Sequence, residues 1–229
     1  PVGEAPALLT HDEVTTLFHE FGHGLHHMLT RQTIADISGI NGVARDAVEP
    51  PSPPPDHSRR ARPGLAAGHV ETGEPLPDEL FDQLLAAKNF QSAMGMVRQL
   101  EFSLFDFRLH LETSAPSAAD IQALLDEVRN SVSVVPRVDF NRFQNGFGHI
   151  FAGGYAAGYY SYKWAEVLSA DAWSAFEEAG IFDPETGRRF RTEIRERGGS
   201  RDAAEMFRAF RGREPSVEPL LRHSGIRAA

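Results

Sequence analysis

Apolar residues recur at intervals of three and four along most of this chain, a spacing that predicts helices rather than strands. Val14, Leu17, Phe18, Phe21, Leu25, Met28 and Leu29 form the first stripe. It predicts an amphipathic helix over about residues 11–30, buried on that face. Thr10 with Glu13 three residues later reads as a capping box that starts it. Residues 31–48 form a return in which Gly39 and Gly42 allow the chain to turn back toward that helix.

Beyond Pro77 the helical spacing resumes. Leu80, Phe81, Leu84, Leu85 and Ala87 mark one amphipathic helix, and Met94, Val97, Leu100, Leu104, Phe107 and Leu111 mark a longer one. Ile121, Leu124, Leu125 and Val128 mark a third, with Ser117 as N-cap. Residues 155–179 predict a further helix and 202–210 a short one. The single strand-like run, Val132 to Val138, is interrupted by Pro136. With no internal repeat and no alternating strands, the fold class is mainly α. One stretch fits no regular element. Six prolines fall between Pro50 and Pro63, mixed with Arg59, Arg60 and Arg62, and predict a loop, linker or disorder over about 50–68.

Composition narrows the function classes. The 229 residues suit one large domain or two small ones, and 41% hydrophobic content can fill a core. A net charge of −9 without a basic patch argues against a nucleic-acid partner. The absence of cysteine excludes a disulfide framework and a thiolate zinc site, and fits a reducing cytoplasm. No apolar run is long enough to span a bilayer and no signal peptide is visible, so no membrane partner is expected. The chain opens on Pro1 almost at the first helix, and reads as a piece of a larger protein.

The first helix carries the sharpest chemistry. Residues 19–23 read His-Glu-Phe-Gly-His, an H-E-x-x-H motif. Positions i and i+4 on a helix lie about 40° apart around the axis, so His19 and His23 can aim both imidazoles at one ion. Glu20 stands beside them, placed to hold a metal-activated water. The bland alternative is a core helix with satisfied histidines, which the helical context disfavours. A catalytic zinc site needs a third protein ligand and an open position. His26 shares the His19 face but lies about 10 Å further along the axis, too far for one ion. The longer H-E-x-x-H-x-x-G-x-x-H form fails because positions 26 and 29 are His and Leu. Glu49 is the best third donor, with Asp46 one turn earlier to orient an imidazole. Acid chemistry alone does not separate Glu49 from Glu71 or Glu101.

A second constellation lies near position 155. All four tyrosines fall within eight residues, and Tyr155, Tyr159 and Tyr162 are spaced i, i+4, i+7, one helical face. His149 and the Gly153–Gly154 pair precede them, the glycines offering a hinge. Peptide hydrolysis develops an oxyanion, and phenol or imidazole donors aimed at it lower the barrier. Taken singly, an aromatic stripe is more often core packing; beside a metal motif the donor reading prevails.

Leu8-Leu-Thr-His-Asp-Glu-Val14 followed by His19-Glu-Phe-Gly-His23-Gly-Leu-His-His-Met resembles the active-site helix of the thimet-oligopeptidase family of zinc metallopeptidases, above all its bacterial oligopeptidase A branch. Asp46-Ala-Val-Glu49, Glu71-Thr-Gly-Glu-Pro-Leu-Pro77, Arg98-Gln-Leu-Glu-Phe102, Phe105-Asp-Phe-Arg108, Phe147-Gly-His-Ile-Phe-Ala-Gly-Gly-Tyr155 and Arg211-Gly-Arg-Glu-Pro215 extend the likeness over nearly the whole chain except about residues 50–68. The resemblance implies a mostly helical, zincin-like catalytic domain of which residues 1–229 are the C-terminal portion, the N-terminal half being missing. It implies one zinc held by His19, His23 and Glu49, with Glu20 as general base and then proton shuttle. His149, Tyr155, Tyr159 and Tyr162 would contact substrate or the oxyanion. Short peptides would be the substrates. The alternative is a truncated or altered relative that binds zinc weakly or not at all and does not catalyse.

One departure stands out. Family members follow the ligand Glu with a helical Pro-Ser-Gln-type segment ending in Glu-Asn-Trp, whereas here Glu49 precedes Pro50-Pro-Ser-Pro-Pro-Pro. Pro50 disfavours helical dihedrals at Glu49. Family-like sequence resumes at His69, which suggests a local reading-frame disturbance in the coding DNA.

Overall fold

The computed structural model of the chain describes residues 3, 8–47, 69 and 71–226. Its α-helices are α1 (His11–Leu29), α2 (Asp78–Lys88), α3 (Ser92–His110), α4 (Ala118–Val132), α5 (Ser161–Ala179), α6 (Pro184–Phe190), α7 (Ala203–Arg211) and α8 (Glu218–His223). Among the described residues there is no strand. The mainly α class follows directly from the apolar spacing. Two predicted caps form as read: Thr10 and Glu13 close a reciprocal capping box on α1, and Ser117 with Asp120 does the same on α4. The run Val132 to Val138 is not a strand; α4 continues to Val132, and the residues beyond it, with Pro136 lacking an amide donor, stay irregular.

The chain divides into two compact units, Pro1–Phe90 with Ala165–Ala229, and Gln91–Trp164. In the first, Ala172, Phe207 and Phe210 are buried from α5 and α7, and Phe176, Phe190 and Ile194 pack against them. Beneath this cluster the fully buried Asp171 accepts hydrogen bonds from both Arg213 terminal nitrogens (2.7 and 2.6 Å), from Arg211 Nε (3.3 Å) and from the Ser216 amide (2.7 Å). Burial pushes its carboxyl pKa up, but the bonds from Arg213 and Ser216 outweigh that and hold it below the usual range.

Between α6 and the Gly198–Ser200 turn the chain widens into one π-helical turn, Arg191–Arg195. This turn anchors α1. Arg195 Nη1 donates to the Gly22 carbonyl at 3.0 Å, and the Arg31 amide and Gln32 side chain both reach the Glu196 carbonyl. Next to it, Gly198 (φ +52°) and Gly199 lie flat against the return loop. A Cβ on Gly198 would stand 2.2 Å from the Ile37 carbonyl oxygen, and one on Gly199 2.6 Å from that of Asn41. Only glycine permits such backbone-to-backbone contact.

The packed side of α1 is not the predicted one. Leu17, Phe18, Phe21 and Met28 are 57, 60, 54 and 64% exposed, while His26 is 4% exposed. The described residues cover α1 on its Gly22–His26 side through the π turn and leave its leucine–phenylalanine stripe open. On α2, Leu80 and Leu84 are likewise exposed.

In the second unit α3 and α4 pack together around Phe105, Leu109, Leu125 and Val128, joined by Phe147 and Ile150. Here too α3 turns a different face inward from the one its apolar spacing suggested. Leu100, Leu104, Phe107 and Leu111 are exposed, and Glu101, Phe105, Asp106 and Leu109 are buried. The helix is apolar on two sides, so periodicity alone does not choose between them. Buried Glu101 is held by Arg129 (2.9 Å) and Arg98 (2.5 Å).

Candidate functional site

On α1 the two motif histidines converge. His19 Nε2 and His23 Nε2 are 3.2 Å apart, with perpendicular rings whose centroids are separated by 4.8 Å. Two imidazole nitrogens on one tetrahedral zinc, each ~2.0–2.1 Å from it, stand about 3.3 Å apart. The donor pair therefore fits a single ion. Glu20 is exposed on the same turn of the helix.

Glu49 lies outside the described residues, as does the whole Pro/Arg-rich stretch 50–68. Among the described residues no group of three His, Cys, Asp or Glu comes together to hold an ion. Of the other acids weighed as third donor, Glu101 is committed to its two arginines and Glu71 sits exposed in a turn. Asp46 lies half-buried in the short Arg45–Ala47 turn.

His26 extends the histidine face inward. Neither ring nitrogen has a hydrogen-bond partner among the described residues. Burial drives its pKa down from 6.5 to about 4, and the Arg195 guanidinium and the neighbouring His27 and His23 add to the shift. A loose main-chain hydrogen bond with Ile194, short of well-formed geometry, pulls the other way. Arg195 itself is lowered to about 10 by burial and lies over the Phe190 ring at 5.3 Å. His26 is thus a neutral, buried ring behind the motif rather than a ligand.

In the second unit the predicted tyrosine face is not a helical face. Helix α5 begins at Ser161, so Tyr155 and Tyr159 precede it. The chain there winds through two short 3₁₀ turns, Phe143–Gly146 and Gly148–Ile150, and then a run of tight turns. The rings nevertheless gather. Tyr155 and Tyr162 stack at 4.9 Å, Tyr159 meets Tyr162 edge-on at 5.2 Å, and His149 lies 6.4 and 6.1 Å from Tyr155 and Tyr159. The predicted glycine hinge is a close-packed turn: a Cβ on Gly153 would stand 2.8 Å from the His149 backbone, and Gly154 has φ +79°. Desolvation raises the Tyr159 phenol pKa, and its hydroxyl donates to Gln99 Oε1 at 3.0 Å.

Sequence reasoning missed the group that organises this turn. Asp106, fully buried on α3, accepts the Ala157 amide on Oδ1 (2.9 Å) and the Tyr159 amide on Oδ2 (2.8 Å), and also pairs with His110 Nδ1 at 2.8 Å. The available signal was its spacing. Phe102, Asp106 and Leu109 share a face with Phe105, and a charged residue on such a face needs partners when buried.

The sequence profile described as Peptidase family M3 matches residues 1–226. Oligopeptidase A of Haemophilus influenzae is 58% identical over 228 residues, covering 99% of this chain and 34% of its own length. Oligopeptidase A of Escherichia coli is 57% identical over 229 residues, again 99% of this chain and 34% of its own. Dipeptidyl carboxypeptidase of Escherichia coli is 39% identical over 233 residues, with the same coverage of each. The chain thus spans about a third of the length of the curated relatives it matches. Among the described residues no helix is long and apolar enough to cross a membrane.

Proposed function

The chain belongs to peptidase family M3, and from that premise we infer that it is the C-terminal part of a zinc-dependent oligopeptidase acting on short peptides. The observation that carries this is the convergence of His19 and His23 at 3.2 Å beside Glu20. His19 and His23 would hold the metal with Glu49 as third ligand. Bound there, zinc supplies a Lewis acid that brings the pKa of its water toward ~7.

Glu20 would accept a proton from the water that attacks the scissile carbonyl and pass it to the leaving amine. The phenols of Tyr155 and Tyr162 and the His149 ring would offer donors to the carbonyl oxygen as negative charge develops on it, or to the peptide main chain, while Tyr159, whose hydroxyl proton goes to Gln99, would contact the substrate through its ring and phenol oxygen. Their mutual packing within 4.9–6.4 Å holds these donors as a group rather than as independent rotors. A reducing cytoplasm is the compartment proposed, on the cysteine-free composition.

The test is Glu20→Gln in the complete protein, read by metal content and by hydrolysis of a fluorogenic short peptide. The variant is expected to keep one zinc per chain and lose turnover by at least a thousandfold. Retained turnover removes Glu20 from the chemistry. A wild-type chain that binds no zinc favours the altered, non-catalytic relative that Pro50 next to Glu49 raises.

A further inference from the structure

We propose that Asp106 and Gln99, seven residues apart on one face of α3, are positioning residues that set the tyrosine cluster for its substrate. The proposal rests on the reading of that cluster as peptide- and oxyanion-binding. Two independent attachments carry it. Asp106 grips main chain: its two carboxylate oxygens each take one amide, from Ala157 and from Tyr159, on either side of Gly158. Gln99 grips a side chain: its oxygen accepts the Tyr159 hydroxyl. Backbone and phenol of the same tyrosine are therefore fixed to one rigid helix.

The backbone between them needs that grip. Ala157 has φ +50°, a left-handed conformation that a residue with a Cβ avoids. Its amide is drawn to a buried carboxylate instead of closing a helical turn, and so is that of Tyr159. This delays the start of α5 to Ser161 and leaves Tyr155 and Tyr159 on turns, where their rings meet Tyr162. Without the carboxylate the local preference is to extend α5 backward. Tyr155, Tyr159 and Tyr162 would then ride a helix surface, as their spacing alone suggests, and Tyr159 would leave Gln99. His110, on the other side of the carboxylate, keeps Asp106 oriented toward the turn.

Asp106→Asn separates these roles. An amide offers one acceptor where two donors wait, so one of the two main-chain bonds must break. Amide hydrogen exchange at Ala157 and Tyr159 is expected to speed up at least tenfold in this variant, with α4 amides unchanged. Peptide turnover should fall by roughly ten- to a hundredfold at unaltered zinc stoichiometry. Adding Ala157→Gly, which removes the penalty for positive φ, should restore part of both.

Gln99 is only half-buried, so Gln99→Met folds even where Asp106→Asn does not. It should lower kcat several-fold in the wild type and have no further effect in a Tyr159→Phe background. Unchanged exchange at the two amides, unchanged kcat in Asp106→Asn, or additive loss in the Gln99/Tyr159 pair each overturns the proposal alone. A complete wild-type protein that holds zinc and hydrolyses no peptide overturns the oligopeptidase reading, and with it the catalytic consequence assigned to α3.

Discussion

Acid should destabilise this protein through one ring. His26 is neutral in the folded chain because its site is dry and faces Arg195, and its pKa falls from 6.5 to about 4. The unfolded chain therefore binds one more proton than the folded chain between those values. Stability attached to His26 is complete above pH 6.5 and is lost as the pH falls toward 4. The fall from 6.5 to about 4 corresponds to about 3 kcal/mol in full, of which about 2 kcal/mol disappears between pH 7 and pH 5. His26→Leu removes the titration and gives up only the weak Ile194 main-chain contact, since neither ring nitrogen makes a well-formed hydrogen bond among the described residues. Urea unfolding of both proteins at pH 7, 6 and 5 isolates the effect from every other titrating group. The variant should match or exceed the wild type at pH 7 and exceed it by about 2 kcal/mol more at pH 5. Parallel pH profiles for the two proteins would refute the reasoning, because the buried ring would then be accepting its proton at no cost.

Two further substitutions probe the scaffold. Gly198→Ala puts a methyl 2.2 Å from the Ile37 carbonyl oxygen at a φ of +52°, and should cost at least about 2 kcal/mol in denaturant unfolding while weakening zinc binding in a chelator competition, although it touches no donor. Asp171→Asn leaves Arg211 and the half-exposed Arg213 facing an uncharged amide at a fully buried point, and should cost about 2–3 kcal/mol of unfolding free energy measured by urea titration at pH 7.

What the sequence could and could not reveal follows from the range of each interaction. Capping boxes at Thr10 and Ser117 and the His19–His23 pair are local: their geometry is complete within one helical turn, so spacing alone predicts them. Which face of α1 or α3 turns inward is decided by partners far along the chain. The π turn at 191–195 reaches Gly22, and the Phe147–Ile150 segment packs on Phe105 and Leu109. Both helices carry apolar residues on more than one side, so periodicity pointed to stripes that are exposed here. The tyrosines illustrate the same limit in reverse. Their i, i+4, i+7 spacing is real, but Asp106, some fifty positions away, diverts the backbone before the helix can form. The rings converge for a reason the spacing did not contain.

The two constellations are held by a shared device of opposite sign. At α1 a buried cation, Arg195, binds a main-chain carbonyl within the histidine motif; at the tyrosine turn a buried anion, Asp106, binds two main-chain amides. Charge-assisted bonds to backbone are strong and directional. They fix where a segment runs without occupying the side chains that must stay available for chemistry. An apolar anchor does the reverse, because it buries the very side chain it uses. On the proposed reading, a helix that offers histidine edges to an ion and a turn that offers phenols to a peptide both gain from a rigid main chain. Fixing each segment from behind through its peptide groups provides that rigidity with a charged side chain, rather than a leucine, at two buried points, Arg195 and Asp106.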